Sequence, residues 1–143
     1  MNDEMIEHFA GQKVLYLATA PTENDEFPSV RPVTVFLTDG ELYFVTSTSS
    51  RKVAALRAVP RMALCLPVTG DQCHGYVHIQ AWAEFIQGPE EQLAIVQRAG
   101  FGEVVARHFG EGPIDPDCLL IKIIPERVEY LKPGESEAIE VSW

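Results

Sequence analysis

The dipeptide Asp39-Gly40 restricts this chain more than any other feature. It separates an alternating run over residues 29–38 from an apolar run over 41–47. Asp and Gly both tolerate positive φ, so the pair favours a tight type I′ turn, whose twist matches that of two antiparallel strands. A hairpin over 29–47 is therefore the frame in which the other elements have to be placed. Pro32 lies inside its first strand and removes one ladder donor, which puts an edge or a bulge there.

The remaining sequence supplies more strands than helices. Runs over 14–19, 62–68 and 76–86 have strand character. In the last of these, Val77, Ile79, Ala81, Ala83 and Phe85 face one way, and His78, Gln80 and Glu84 the other. Residues 119–124 and 127–131 form a final strand bent at Pro125. One short helix covers 3–10, with Met5 and Phe9 a turn apart and Gly11 placed to end it. A second covers 51–58, between a cap at Ser49 or Ser50 and a stop at Pro60. A third starts at Gly88-Pro89-Glu90-Glu91, where proline suits the first turn and the acids complement the dipole. Residues 104–109 add a further helical piece, and 22–26, 69–75 and 110–117 are loops. About six strands joined by hairpins, with peripheral helices, predict a mostly β fold. The expected form is a six-stranded antiparallel barrel rather than a βαβ sheet. A length of 143 residues suits one domain, placed at 1–133. Residues 134–143 form an acidic tail, in which Ile139, Val141 and Trp143 alternate as an edge strand would.

Charge narrows the function. The net charge of −10 repels nucleic acid and anionic membrane, and no apolar run reaches membrane-spanning length. The acidic start, followed by no apolar stretch, gives no expectation of a secretory signal. Three cysteines cannot all pair within one chain, and their spacing makes neither a zinc ribbon nor a redox CxxC. They are expected as reduced thiols of a cytoplasmic protein. Against this acidic background, Arg31, Arg51, Lys52, Arg57 and Arg61 fall between positions 31 and 61, opposed only by Asp39 and Glu41. Five positive charges against two negative leave +3. A compact anionic ligand accounts for this, and so does a solvated basic face.

The segment Thr46-Ser47-Thr48-Ser49-Ser50-Arg51-Lys52 lies where a strand ends and a helix begins. A helix N-terminus is partially positive, so cations in its first turn are misplaced by ~0.3–1 kcal/mol each. A phosphate at that spot reverses the penalty, because free N–H groups, serine hydroxyls and two cations then converge on one dianion. The bland alternative is a Ser-rich turn before an ordinary helix. Arg31 stands mid-strand, and pairing across the Asp39-Gly40 hairpin puts it near Thr46 and Ser47, where it either snorkels to solvent or meets the same anion. Other candidates are weaker. Cys73, His74 and His78 lack a fourth metal ligand, so no metal is expected. His108 reads as a dipole partner at a helix end, and Trp82 and Trp143 as packing residues. No Ser-His-Asp triad or carboxylate pair stands out, which leaves catalytic residues unassigned.

Taken together, several runs resemble the pyridoxamine phosphate oxidase-like FMN-binding split-barrel family, in particular its small general-stress-protein type. They are Leu17-Ala18-Thr19, Pro28-Ser29-Val30-Arg31-Pro32-Val33, Asp39-Gly40-Glu41-Leu42-Tyr43-Phe44-Val45-Thr46 and Ser50-Arg51-Lys52. The resemblance continues through 76–85 and 119–130. It implies a split barrel and a homodimer with flavin sites at the subunit interface. It also implies FMN as cofactor, its phosphate held by Ser50, Arg51 and Lys52. The flavin ring would lie along Arg31, Pro32, Val33 and Thr34, and the ribityl chain against Thr46 and Ser47. Relatives often have Gly where Ala81 stands here, and the pyridoxal-phosphate-binding residues of the true oxidases find no match. The implied function is an FMN-dependent oxidoreductase passing electrons between a reduced nicotinamide and a small acceptor. A flavin-binding stress or sensor protein with little turnover is the alternative, as is the same barrel holding a deazaflavin or haem.

Overall fold

At the Asp39-Gly40 turn both residues take positive φ, 52° and 76°, which is the backbone a two-residue type I′ hairpin requires. The computed structural model describes residues 3–143. The turn joins β2 (Ser29–Thr38) to β3 (Glu41–Ser47), and β1 (Gln12–Thr19) lies on the other side of β2. Then come β4 (Arg61–Thr69), β5 (His74–Phe85) and β6 (Cys118–Leu131). The strand order is β3-β2-β1-β4-β5-β6, and β3 also pairs with β6, so six antiparallel strands close into a barrel. A short β7 (Ile139–Val141) adds to the second half of β6.

The alternation that predicted these strands decides what fills the barrel. Leu15, Leu17, Val33, Val35, Leu64, Val77, Ile79 and Ile121 are among the inward residues of its core. The helix α1 (Asp3–Phe9) contributes Met5 and Phe9 to that core, and α2 (Arg51–Ala58) contributes Val53 and Leu56. A second apolar cluster lies outside the barrel wall. There α3 (Pro89–Arg98) and α4 (Gly102–His108) cover Phe36, Tyr43 and Leu120. Buried Gln92 ties α3 to the barrel: its amide donates to the carbonyls of Pro113 and Cys118, and its oxygen accepts from the Leu120 N–H at 2.7 Å.

Two local departures from the sequence reading have plain causes. Gly75, expected in a loop, belongs to β5, because a side chain there would run into the Leu131 carbonyl and Pro133 of the neighbouring chain segment. The bend at Pro125 is a bulge: Gln80 pairs with Arg127 and Ala81 with Pro125, which leaves Glu126 as the extra residue.

Candidate functional site

The hairpin does not stay paired along its length. β2 and β3 pair from Thr38↔Glu41 to Val35↔Phe44 and then part, β3 continuing along β6 as far as Ser47↔Cys118. Residues 29–34 of β2 thus pair with β1 alone, and their other edge is open. This is the split in the barrel, and Pro32 sits on it, where a missing N–H costs no β2–β3 ladder bond.

A cleft of about 300 Å³ runs along the open edge. Pro32, Val33 and Thr34 face Phe101, Val105 and His108 across it, and Val45, Lys52, Val104 and Phe109 complete the lining. The far wall is α4, held in place by Phe101, whose ring stacks on Phe36 with centroids 4.5 Å apart. The lining is mainly apolar, with Thr34, Lys52 and His108 as its polar residues. A smaller pocket of about 100 Å³ lies next to it and takes in Thr19, Asp25, Ser29, Arg31 and Arg51.

Both pockets adjoin the start of α2, and its electrostatics are unusual. Among the described residues, none of the ion pairs involves Arg31, Arg51 or Lys52. Half-buried Lys52 has its ammonium pushed below the usual lysine range by loss of water and then by the Arg31 charge. Desolvation likewise lowers Arg31, with Asp25 opposing the shift. Two cations here repel each other while losing solvent, an arrangement that an added anion would relieve. The backbone agrees. Ser50 makes no capping bond with its side chain, and the first helical bond of α2 is Ala54 N–H to the Ser50 carbonyl. Among the described residues, the N–H groups of Arg51, Lys52 and Val53 have no acceptor, and these are the groups a phosphate takes up at a helix start.

The residues singled out from sequence meet here, though not always by the route expected. Pro32, Val33, Thr34 and Lys52 line the larger cleft, and Arg31 and Arg51 the smaller. Arg31 does not reach the end of β3 through hairpin pairing. It donates instead to Thr19 Oγ1 at 2.8 Å and to the Ser29 carbonyl. Thr46 is buried, with its hydroxyl 3.2 Å from that of Ser50. The Ser47 hydroxyl donates to the Asp117 carboxylate at 2.8 Å. Two contributors were not identified from sequence. Asp117 is 70 residues from Ser47 and carries no local signal. The α4 wall is expected from the sequence only as a further helical piece over 104–109, and His108 only as a dipole partner. Trp143 packs edge-on against Phe9 and donates to the Gly40 carbonyl, whereas Trp82 donates to Glu126. Among the described residues, no three His, Cys, Asp or Glu side chains gather as a metal site would require.

Comparison with known proteins gives a family and a fold. The sequence profile of the family described as pyridoxamine 5'-phosphate oxidase matches residues 1–132. A search of curated protein sequences gives no match. Among solved structures, general stress protein 26 from Bacillus anthracis is 23% identical with a TM-score of 0.69, over 96% of this chain and 97% of that one. A FAD-binding protein from Mesorhizobium loti is 21% identical with a TM-score of 0.68, over 92% and 93%. A heme binding protein from Mycobacterium smegmatis is 20% identical with a TM-score of 0.74, over 96% of this chain and 55% of that one. At these identities the likeness is one of fold.

Proposed function

The chain belongs to the pyridoxamine 5'-phosphate oxidase family, and from that premise we propose that it binds FMN and serves as an oxidoreductase. The observation that carries the reading is the start of α2: among the described residues, three N–H groups without an acceptor lie beside Arg51, Lys52 and Arg31, and none of these three cations is in an ion pair. That donor set suits a phosphate monoester dianion. The adjoining cleft, at the small end of the ligand-pocket range, suits a planar ring system packed between Pro32, Val33 and Thr34 on one side and Phe101 and Val105 on the other. A phosphate dianion uses this set of N–H groups and cations more fully than a singly charged haem propionate does, so the same observation favours FMN over haem.

In this reading Arg51 and Lys52 grip the phosphate, with Ser50 and Arg31 beside it. The open edge of β2 offers main-chain donors and acceptors to the ring, and Thr46 and Ser47 border the ribityl chain. Val45, Phe101, Val105 and Phe109 keep water from the ring. Bound FMN would supply the redox chemistry between a reduced nicotinamide and a small acceptor. The protein then needs to hold the ring, tune it and leave one face reachable.

We further propose a homodimer. Val14, Tyr16 and Val30 are 55%, 48% and 66% exposed. The pairs Tyr16↔Pro32 and Ala18↔Val30 place them side by side on the outer wall, with Cys65 and Ala63 of β4 continuing the surface. A contiguous apolar wall of this kind calls for a partner, and it backs onto the strand that borders the cleft. Three free cysteines fit a cytoplasmic protein, and no described helix is long and apolar enough to cross a membrane. The absorption spectrum of the protein as purified, with the released chromophore identified by mass, tests the cofactor. Flavin bands and the mass of FMN are expected; a Soret band would overturn the assignment.

A further inference from the structure

The small pocket beside α2 holds a negative charge that the phosphate reading leaves unused: Asp25 lines it together with Arg31 and Arg51. Asp25 is an exposed residue of the connection between β1 and β2. Its place in that connection is fixed. Its N–H donates to the Thr22 carbonyl at 2.9 Å, and its carboxylate accepts from Thr22 Oγ1 at 2.8 Å. Among the described residues no ion pair involves it, yet its charge reaches Arg31 and opposes the effect of desolvation there. Next to this pocket lies a wider hollow of about 320 Å³, lined by Thr22, Asn24, Asp25, Arg51 and Ala54. The two spaces share Asp25 and Arg51. Inside, two cations answer the carboxylate; outside, Arg51 alone does.

We propose that Asp25 is a specificity-determining residue of the phosphate site, favouring a flavin that ends in its phosphate, FMN, over one that continues through a second phosphate, FAD. The inference rests on the phosphate reading above and adds which phosphate ester the site accepts. A terminal phosphate in the inner pocket meets Arg31, Arg51 and the N–H groups of the helix start, which together outweigh Asp25. The inner pocket is small, about 100 Å³. Once a phosphate fills it, a second one has to pass Asp25 into the outer hollow. There Arg51 is already committed to the first phosphate, and no other cation lines the wall. The second phosphate thus gives up water beside a carboxylate of its own sign. The FMN dianion also feels Asp25, so the discriminating quantity is the ratio of the two affinities.

Isothermal titration calorimetry on the flavin-free full chain gives FMN, FAD and riboflavin affinities for wild type, Asp25→Asn and Asp25→Ala. One like-charge contact near solvent corresponds to about a fivefold change in affinity. Wild type should therefore bind FMN at least about fivefold more tightly than FAD, and each variant should narrow that ratio by about the same factor, chiefly by tightening FAD. Riboflavin, which brings no phosphate near Asp25, should bind all three proteins alike. Asp25→Asn keeps the acceptor for Thr22 and so carries the test if the alanine variant disturbs the loop. An unchanged ratio in Asp25→Asn overturns the proposal, as does a wild type that binds FAD as tightly as FMN. An equal shift of all three flavins also overturns it, since Asp25 would then act only by shaping the loop. A wild type that binds FMN no better than riboflavin overturns the phosphate reading itself, and this inference with it.

Discussion

A cation in the first turn of a helix is opposed by the helix dipole, yet Arg51 and Lys52 both stand there, with no acidic residue in that turn. The oddity was legible in the sequence because it is local: capping residues, two basic residues and a helix signal lie within seven positions. The meeting of Arg31 with the same spot was expected for a different reason. Hairpin register was to bring it to Thr46 and Ser47. Instead the strands part, and a bond to Thr19 holds Arg31 where its charge reaches Lys52. Nothing in the sequence could show that the Ser47 hydroxyl proton is committed to Asp117, since a contact across 70 residues exists only once β3 and β6 have closed the barrel. Residue types were readable; their partners were not.

Strand and helix existence was largely readable because each element carries its own period. β1 to β6 appear where the alternation put them, with ends shifted by one or two residues. Closure through β3 and β6 is a long-range fact that the hairpins alone do not state. Gly75 shows the limit of local rules, since a glycine beside polar residues reads as a loop, whereas here it is the one side-chain size that fits between β5 and the chain at Leu131 and Pro133. Gly75→Ala adds a methyl against backbone, and overpacking of that kind costs about 1–3 kcal/mol. Chemical denaturation of the variant should show a lower midpoint with an unchanged slope. Wild-type stability would mean that the β5–β6 approach is looser than described.

At the scale of the molecule, the split and the apolar outer wall belong together. β2 shows its open edge to the cleft, and its outer face, with Val30 and Pro32, to the wall around Tyr16. A partner on that wall therefore stands close to the cleft. Sedimentation at micromolar concentration should give twice the chain mass. Tyr16→Glu sets like charges against each other wherever a two-fold interface crosses itself, so it should yield monomer with weakened FMN binding. A wild-type monomer that holds FMN tightly would contradict an interface site.

The central claim is that the start of α2 holds a phosphate, and comparison of FMN with riboflavin tests it most directly, because the two share a ring and differ in that group. Each charge-assisted hydrogen bond contributes roughly 1.5–3 kcal/mol. FMN should therefore bind wild type far more tightly than riboflavin, and Arg51→Ala should weaken FMN by about one to two powers of ten. Riboflavin affinity should hardly change in Arg51→Ala or Lys52→Ala, and both variants should stay folded, since each removes a cation that the unliganded helix dipole opposes. Equal affinity of wild type for the two flavins, or an Arg51→Ala variant that loses both alike, would contradict the account.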